Sequence, residues 1–137
     1  MHEIAGWTDD ERALVRIEKP VVIFGDHTCR IKYISKNFCQ GADGIKILST
    51  TENVIPKYLY YYLLAFPITP QGYNRHFSKL VEKEISIPEL DVQQIIVSRI
   101  ESEQKLVEAN RKLIALFEQK IKERINRLWE INQKRPL

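Results

Sequence analysis

Apolar residues recur every seven positions along the last third of the chain. They are Ile100, Val107, Ile114, Ile121 and Leu128. A strict seven-residue repeat is typical of the seam of a coiled coil. Residues 91–134 contain no glycine or proline, so we predict one helix over this range, about 65 Å long at a rise of 1.5 Å per residue. Asp91 and Gln94 resemble a capping box at its start.

The apolar stripe of this helix predicts a partner. A single helix cannot bury its stripe against itself, and no second helix of comparable length is predicted here, so we expect a partner chain. Asn110 lies three residues after Val107, at the second seam position of its repeat, where a polar side chain can fix the register of paired helices. Alternatively, Asn110 lies at the edge of the seam and meets water. The predicted helix interface comprises Ile100, Val107, Asn110, Ile114, Phe117, Ile121 and Leu128.

Shorter patterns fill residues 1–90. Residues 21–24 form a continuous apolar run, which is typical of a strand buried on both faces. Residues 30–34 alternate charged and apolar side chains, which predicts the second strand of a hairpin with its tip at residues 26–28. Further strands are predicted at residues 13–17, 45–48 and 85–87, a loop at residues 38–44, and a helix beginning at Pro56. The patterns together predict an α+β protein: a small mixed α/β domain followed by one long C-terminal helix.

Composition narrows the class of protein. The 137 residues are 44% hydrophobic and 28% charged, which is typical of a globular chain. No apolar run approaches the ~20 residues of a membrane span, and no signal-peptide pattern opens the sequence. We therefore expect a cytoplasmic protein without a membrane partner, in which Cys29 and Cys39 are reduced thiols.

No set of residues predicts catalysis or metal binding. His27, Cys29 and Cys39 are close in sequence, but their spacing matches no zinc pattern. A cysteine paired with His27 or His76 as nucleophile and base has no support beyond residue type, and ordinary buried thiols are the simpler interpretation. We therefore expect no catalytic residue, no metal and no cofactor.

Four stretches, in this order, resemble one family. They are PVVIFGDHT (residues 20–28) with GADGIKIL (41–48), KYLYYYLL (57–64), GYNRHF (72–77) and ISIPELDVQQII (85–96). The first resembles the middle of a target-recognition domain, the second its following helix, the third the loop before its last strand, and the fourth the junction into a long helix. Together they resemble the DNA-specificity (S) subunit of type I restriction-modification enzymes over residues ~13–132.

The resemblance implies a division of labour. Residues 1–90 would be a target-recognition domain that reads a few base pairs of double-stranded DNA, and residues 91–134 a spacer helix that packs antiparallel with a second such helix. Modification (methyltransferase) subunits, which methylate adenine using S-adenosylmethionine, and restriction subunits would be the partners. The specificity subunit itself would carry no catalytic residue.

The sequence departs from a full subunit of that family. A full subunit has two recognition domains and two helices, whereas one of each is found here, and the recognition domain is short at its N-terminal side. We therefore expect a truncated, split or half subunit that pairs with a second copy, or with a second half subunit, through the helix. The alternative, from a different class, is a truncated scaffold that no longer reads DNA but dimerises through its helix and binds methyltransferase subunits.

Candidate DNA contacts come from local clusters of charge. The net charge is +3, but acidic and basic residues balance within residues 1–90, so only clustering can create a DNA-binding surface. The first candidates are His27, Thr28, Arg30 and Lys32, since arginine can bond guanine bidentately and lysine can neutralise phosphate. The alternative is an ordinary solvated hairpin. Asp26 is expected to fix the turn by bonding its own backbone rather than to accept from cytosine.

A second group of candidates lies between the predicted helices. It comprises Tyr73, Asn74, Arg75, His76 and Lys79. The amide of an asparagine can pair with adenine, and a tyrosine can pack on sugar or base. The alternative is a structural loop whose polar groups face water.

Overall fold

The structure is a computed structural model that describes residues 6–41, 44–72 and 74–133. Within these ranges the elements are β1 (Leu14–Val15), β2 (Val21–Gly25), β3 (Ile31–Ile34), β4 (Phe38–Cys39), β5 (Ile45–Leu48), α1 (Pro56–Ala65), α2 (Phe77–Val81) and α3 (Leu90–Gln133). A short 3-10 turn, Glu11–Ala13, precedes β1. The strands, followed by one long helix, confirm the predicted α+β class.

Strand β2 lies at the centre of a three-stranded antiparallel sheet with the order β3-β2-β5. Phe24 pairs with Ile31 on one side and with Lys46 on the other. Residues 21–24 are all buried, which confirms the prediction from their continuous apolar run. A central strand that is buried on both faces has apolar residues at every position, so its sequence does not alternate between apolar and polar residues.

Strands β1 and β4 form a separate two-stranded antiparallel sheet, in which Val15 pairs with Phe38. The predicted loop at residues 38–44 is therefore wrong at Phe38 and Cys39. The side chain of Asn37 accepts a hydrogen bond from the backbone N–H of Ile17 at 3.0 Å, which brings these residues alongside β1. A ladder of two residues is too short to leave a periodic pattern.

The hydrophobic core lies between the three-stranded sheet and helices α1 and α2. Its buried members are Val22, Phe24, Cys29, Leu63 and Leu80, flanked by the partly buried Ile31, Leu48, Leu59, Tyr60, Ile68, Phe77 and Ile85. Successive strand residues point to opposite faces, so Val22 and Phe24 of β2 share the face that α1 covers. This packing holds the β2–β3 hairpin and α2 against the same core.

Residues 84–87 form no strand, which corrects the prediction made from the alternation of Ile85 and Ile87. Two tyrosines of α1, one turn apart, bond this segment instead. The hydroxyl of Tyr58 donates to the carbonyl of Ser86 at 2.6 Å, and that of Tyr62 lies 3.5 Å from the carbonyl of Glu84. These side chains satisfy carbonyls that a neighbouring strand would otherwise engage.

The chain divides into two compact units, Met1–Val97 and Ser98–Leu137. The first contains both sheets, α1, α2 and residues 90–97 of α3. The second consists, as far as it is described, of the rest of α3. In the part of the chain that the structure describes, no helix is both long and apolar enough to cross a membrane.

The first unit anchors the beginning of α3 through Gln93, a residue that the capping pattern of Asp91 and Gln94 did not single out. Gln93 is fully buried. Its Oε1 accepts from the backbone N–H of Ile55 at 2.8 Å, and its Nε2 donates to the carbonyls of Asn53 at 2.8 Å and Pro88 at 2.7 Å. The side-chain amide of Gln93 therefore connects the beginning of α3, at Leu90, to the backbone just before α1.

Candidate nucleic-acid interface

The tip of the β2–β3 hairpin is a tight turn over residues 26–29. The N–H of Gly25 donates to the carbonyl of Arg30 at 2.9 Å, and the N–H of Cys29 donates to the carbonyl of Gly25 at 2.7 Å. Cys29 has a φ of 52°, in the left-handed region that often closes longer hairpin connections. Its side chain is buried in the core, so the tip is fixed from beneath as well as by its backbone bonds.

Three predicted contact residues lie on or beside this tip. Arg30 and Lys32 are exposed and alternate along the strand direction, so they point to the same side of the sheet. Thr28 is exposed too, but its Oγ1 accepts from the N–H of Arg30 at 3.3 Å. A Cβ added at Gly25 would lie only 2.4 Å from that oxygen. The hydroxyl of Thr28 thus also helps to hold the turn.

His27 is half-buried. A Cβ added at Gly44 would lie 3.2 Å from the Cδ2 atom of its ring, so the imidazole packs against that glycine at the start of β5. The close approach limits how far the His27 ring can turn toward a ligand.

Asp26 does not bond its own turn, which corrects the expectation from sequence. Its Oδ1 accepts from the backbone N–H groups of His76 and Phe77, each at 2.8 Å. Its own N–H donates to the carbonyl of Gly44 at 2.8 Å. Asp26 is almost completely buried and joins the hairpin, the start of β5 and the start of α2.

His76 lies inside the protein. Its Nε2 is 2.8 Å from the backbone N–H of Gln71, which can only donate, so Nε2 accepts and Nδ1 carries the proton. Nδ1 then donates to the carbonyl of Asp26 at 3.0 Å. With both ring nitrogens bonded and no exposed surface, His76 supports its loop from within and offers no atom at the surface, which corrects its prediction as a DNA contact.

The other members of the second group are exposed and lie near the hairpin. Asn74, Arg75 and Lys79 are exposed; Asn74 Nδ2 donates to the carbonyl of Gln71 at 2.8 Å, and Lys79 Nζ donates to Gln71 Oε1 at 2.6 Å. Because the next residues along, 76 and 77, bond Asp26, this segment is held at the hairpin tip. Tyr73 lies outside the described residues.

The pKa of Asp26 also reflects basic side chains close to the hairpin tip. Burial raises the pKa of its carboxyl, but the N–H groups of Phe77 and His76 and the positive charges of Lys46 and Arg75 outweigh burial, so the pKa lies below the ordinary value. Burial raises the pKa of the Cys29 thiol above its ordinary value, and Lys79 acts against that rise. Basic side chains from two segments, Lys46 of β5 and Arg75 and Lys79 of residues 74–79, therefore lie near the hairpin tip.

Lys46 was not among the predicted contact residues. It is the one cation in the apolar strand β5, pairs across the sheet with Phe24, and its Nζ lies 5.3 Å from the centroid of the Phe77 ring. The signal available in the sequence was a single lysine within an otherwise apolar predicted strand. We define the tip surface as His27, Thr28, Arg30, Lys32, Lys46, Asn74, Arg75 and Lys79.

The tip surface carries groups that can bind a polyanion. Guanidinium, ammonium and amide groups can bond phosphate oxygens and base edges. Among the residues that the structure describes, no group of three or more histidine, cysteine, aspartate or glutamate side chains could hold a metal ion.

The predicted interface residues on α3 lie along the second unit. Val107, Ile114, Ile121 and Leu128 are each at least half exposed, and Phe117 is 54% exposed. Asn110 is exposed in the same row, whereas Ile100 is half-buried. The stripe is thus an apolar surface on a helix with polar residues around it.

Comparison with known proteins identifies the domain. The family model described as "Type I restriction modification DNA specificity domain" matches residues 4–119. Comparisons with curated proteins and with solved structures find no match. The matched range includes both sheets, α1, α2, the whole tip surface and the greater part of α3. A match over most of the chain, including every element that builds the tip surface, means that this protein belongs to the family of type I restriction modification DNA specificity domains.

Proposed function

We propose that this protein is the sequence-specific DNA-recognition module, as a specificity subunit or half subunit, of a type I restriction-modification system. It directs adenine methylation and cleavage that partner subunits carry out. Residues 1–90 read the DNA, and residues 91–134 form the helix that docks the partners. The observation that carries the proposal is the tip surface, where basic side chains far apart in sequence meet around Asp26 in a domain of this family.

The basic side chains of the tip surface and the amide of Asn74 each have a chemical role in this proposal. Arg30 and Arg75 present guanidinium groups that can bond guanine O6 and N7 or clamp a phosphate. Lys32, Lys46 and Lys79 neutralise phosphates and so position the protein on the duplex. The amide of Asn74 can bond adenine, with the neighbouring Tyr73 packing beside it as the sequence predicts.

The helix supplies the assembly in this proposal. The exposed apolar stripe of α3 packs against the corresponding helix of a second copy or of a second half subunit, and the modification subunit docks on the same region. An uncovered row of aliphatic side chains such as Val107, Ile114 and Ile121 supports this role, because apolar area of that kind gains free energy when it is buried.

The test is selection from a random-sequence duplex pool by the chain in complex with its modification subunit, at about 50 mM and about 200 mM salt. We expect enrichment of a half-site and an affinity that falls as salt rises. Arg30→Ala is expected to weaken binding. Unchanged affinity of Arg30→Ala would remove Arg30 from the interface, and selection no different from that of the modification subunit alone would contradict DNA recognition.

A second candidate function is a scaffold that binds methyltransferase subunits and dimerises through α3 without reading DNA. The balance of acidic and basic residues within residues 1–90 favours it, because a DNA-binding domain usually carries an excess of positive charge. Normal complex formation together with no half-site in the selection experiment would support the scaffold.

A further inference from the structure

We propose that Asp26 is a positioning residue for DNA recognition. Its carboxylate holds residues 74–79 against the hairpin, so that Arg75 and Lys79 meet the same duplex as Arg30. This role rests on the proposed function and adds to it by assigning a task to a buried anion at the centre of a basic surface.

The geometry shows how one carboxylate controls the second segment. Helix α2 has only 5 residues, and its N-cap residue His76 makes no side-chain capping bond. The first amides of a helix need acceptors from elsewhere. Asp26 Oδ1 supplies one to the N–H groups of both His76 and Phe77, at 2.8 Å each. The cap of α2 therefore comes from the tip of the hairpin, 50 residues away in sequence.

The residues leading into α2 depend on the same bonds. Between Ala65 and Phe77, the described residues form no helix or strand. Ile68 packs against the core, and the N–H of His76 also donates to the main-chain carbonyl of Asp26 at 2.9 Å, so the carboxylate acts on the end of the segment next to α2. The ring of His76 extends the connection by joining the carbonyl of Asp26 to the N–H of Gln71. Gln71 in turn accepts from Lys79 and from Asn74. The chain of bonds thus runs from Asp26 to exposed members of the tip surface.

Charge and positioning predict opposite effects of losing this carboxylate. Asp26 lies near Lys46 and Arg75, so an electrostatic account predicts that removing its negative charge strengthens binding to the DNA polyanion. A positioning account predicts that removing the acceptor weakens binding, because Arg75 and Lys79 are no longer held in place. The sign of the change in affinity therefore separates the two accounts.

The first experiment compares Asp26→Ala with Asp26→Asn in the complex with the modification subunit. The probe is the duplex that the wild-type complex selects from the random pool. Both variants remove the charge, but only asparagine keeps an acceptor oxygen. We expect Asp26→Ala to bind about 10-fold more weakly per folded molecule, equivalent to about 1.4 kcal/mol, and Asp26→Asn to stay within about 3-fold of wild type.

A double-mutant cycle distinguishes positioning from general destabilisation. Arg75→Ala is expected to weaken binding about 10-fold in the wild-type background but less than about 3-fold when Asp26→Ala is already present. Lys32→Ala, on the hairpin strand itself, is expected to keep its full effect in both backgrounds. Tyr58→Phe, which removes a buried hydrogen bond elsewhere, serves as a destabilised control that leaves the effect of Arg75→Ala unchanged.

Amide hydrogen exchange of the full chain supplies a measurement without DNA. Asp26→Ala should speed exchange at Phe77, whose N–H bonds the carboxylate, more than at His76, whose N–H also donates to the main-chain carbonyl of Asp26 at 2.9 Å, and more than at the paired residues of β2. Additive effects of Asp26→Ala and Arg75→Ala, tighter binding by Asp26→Ala, or unchanged exchange at the Phe77 amide would each overturn the positioning role. Failure of the wild-type complex to prefer any duplex would instead overturn the proposed function, and the positioning role with it.

Discussion

Asp26 and Gln93 are buried side chains whose polar atoms bond backbone groups from distant parts of the chain. Asp26 accepts from the start of α2, and Gln93 bonds the segment before α1. Removing one partner of such a buried bond leaves the other unsatisfied, which costs more than the bond itself contributes in net terms. At the scale of residues, stability and site geometry therefore depend on a few polar contacts within an apolar interior.

Because Asp26 stabilises the fold in its ionised form, we expect the free energy of unfolding to fall at acid pH. The pKa of Asp26 lies below its ordinary value in the folded chain, so the ionised form stabilises the fold at pH above the ordinary aspartate pKa of about 3.9. That contribution is lost as pH falls through the folded-state pKa. We expect wild type to be more stable than Asp26→Asn at neutral pH, with a smaller difference in acid.

Urea denaturation of both proteins at about pH 7 and about pH 3 measures this change. Every other carboxyl group is common to the two proteins, so their difference isolates Asp26. An equal difference at both pH values would contradict the expected role of the ionised carboxylate.

A buried side chain connects the beginnings of helices α1 and α3 through hydrogen bonds to backbone groups. The N-cap residue of α1, Ile55, has no side-chain capping bond, and its N–H donates instead to Gln93 of α3. The same Gln93 bonds the carbonyl of Pro88 just before its own helix. One side-chain amide therefore bonds backbone groups at the beginnings of two helices, and residues 90–97 are part of the first compact unit.

Replacing Gln93 tests that junction. We expect Gln93→Ala to lower the free energy of unfolding by about 1–3 kcal/mol, since it strands one buried N–H and two carbonyls. Gln93→Glu should also destabilise, because a carboxylate oxygen then faces the carbonyls of Asn53 and Pro88. The matched control is Gln119→Ala, at an exposed glutamine later in the same helix, expected to change stability by less than about 0.5 kcal/mol. Equal effects at the two positions, measured by denaturation, would argue against the junction.

The apolar stripe of α3 can be tested at the level of one helix face. In the proposed assembly, Ile114→Lys places a charge in the seam and should weaken self-association, or association with a second half subunit, by at least about tenfold. Gln119→Lys adds the same side chain five positions later, outside the seam, and should leave association unchanged. Sedimentation velocity of the full chain over a range of concentrations provides the measurement. Identical behaviour of the two variants would remove the stripe from the interface.

At the scale of the whole molecule, the proposed function requires basic side chains to be clustered, because the total charge is small. The net charge of +3 is small, and acidic residues are common outside the tip surface. Folding brings Lys46 of β5 and Arg75 near Asp26, at the tip of the hairpin beside which Arg30 is exposed. In the proposed function, these side chains make phosphate contacts that release counterions.

The salt dependence of DNA binding tests this distribution. We expect Arg75→Ala, in the complex with the modification subunit, to weaken binding about 10-fold and to reduce the slope of log affinity against log salt by about 1. Arg12→Ala removes the same charge from the 3-10 turn before β1 and should alter neither quantity appreciably. An equal loss from both variants would mean that net charge, and not the tip surface, determines binding.

Several features follow from the sequence by itself. The long helix could be predicted from the seven-residue repeat, because a helix that buries one side and exposes the other has apolar residues at helical spacing. The β2–β3 hairpin could be predicted as well. A strand buried on both faces is apolar throughout, as at residues 21–24, and a strand with one exposed face alternates apolar and polar residues, as at residues 30–34. The order of short motifs was sufficient for the resemblance to type I specificity subunits, which the family match confirms.

Only the tertiary structure decided the roles of Asp26, His76, Lys46 and Gln93. Each depends on a contact with a segment far away in the chain, and such contacts leave no period or spacing in the sequence. The strand predicted at residues 85–87 failed for a related reason: tyrosine hydroxyls of α1 bond those carbonyls in place of a neighbouring strand. Local patterns determine which elements form, whereas the hydrogen bonds of buried polar groups, which must be satisfied wherever a partner lies, decide how the elements meet.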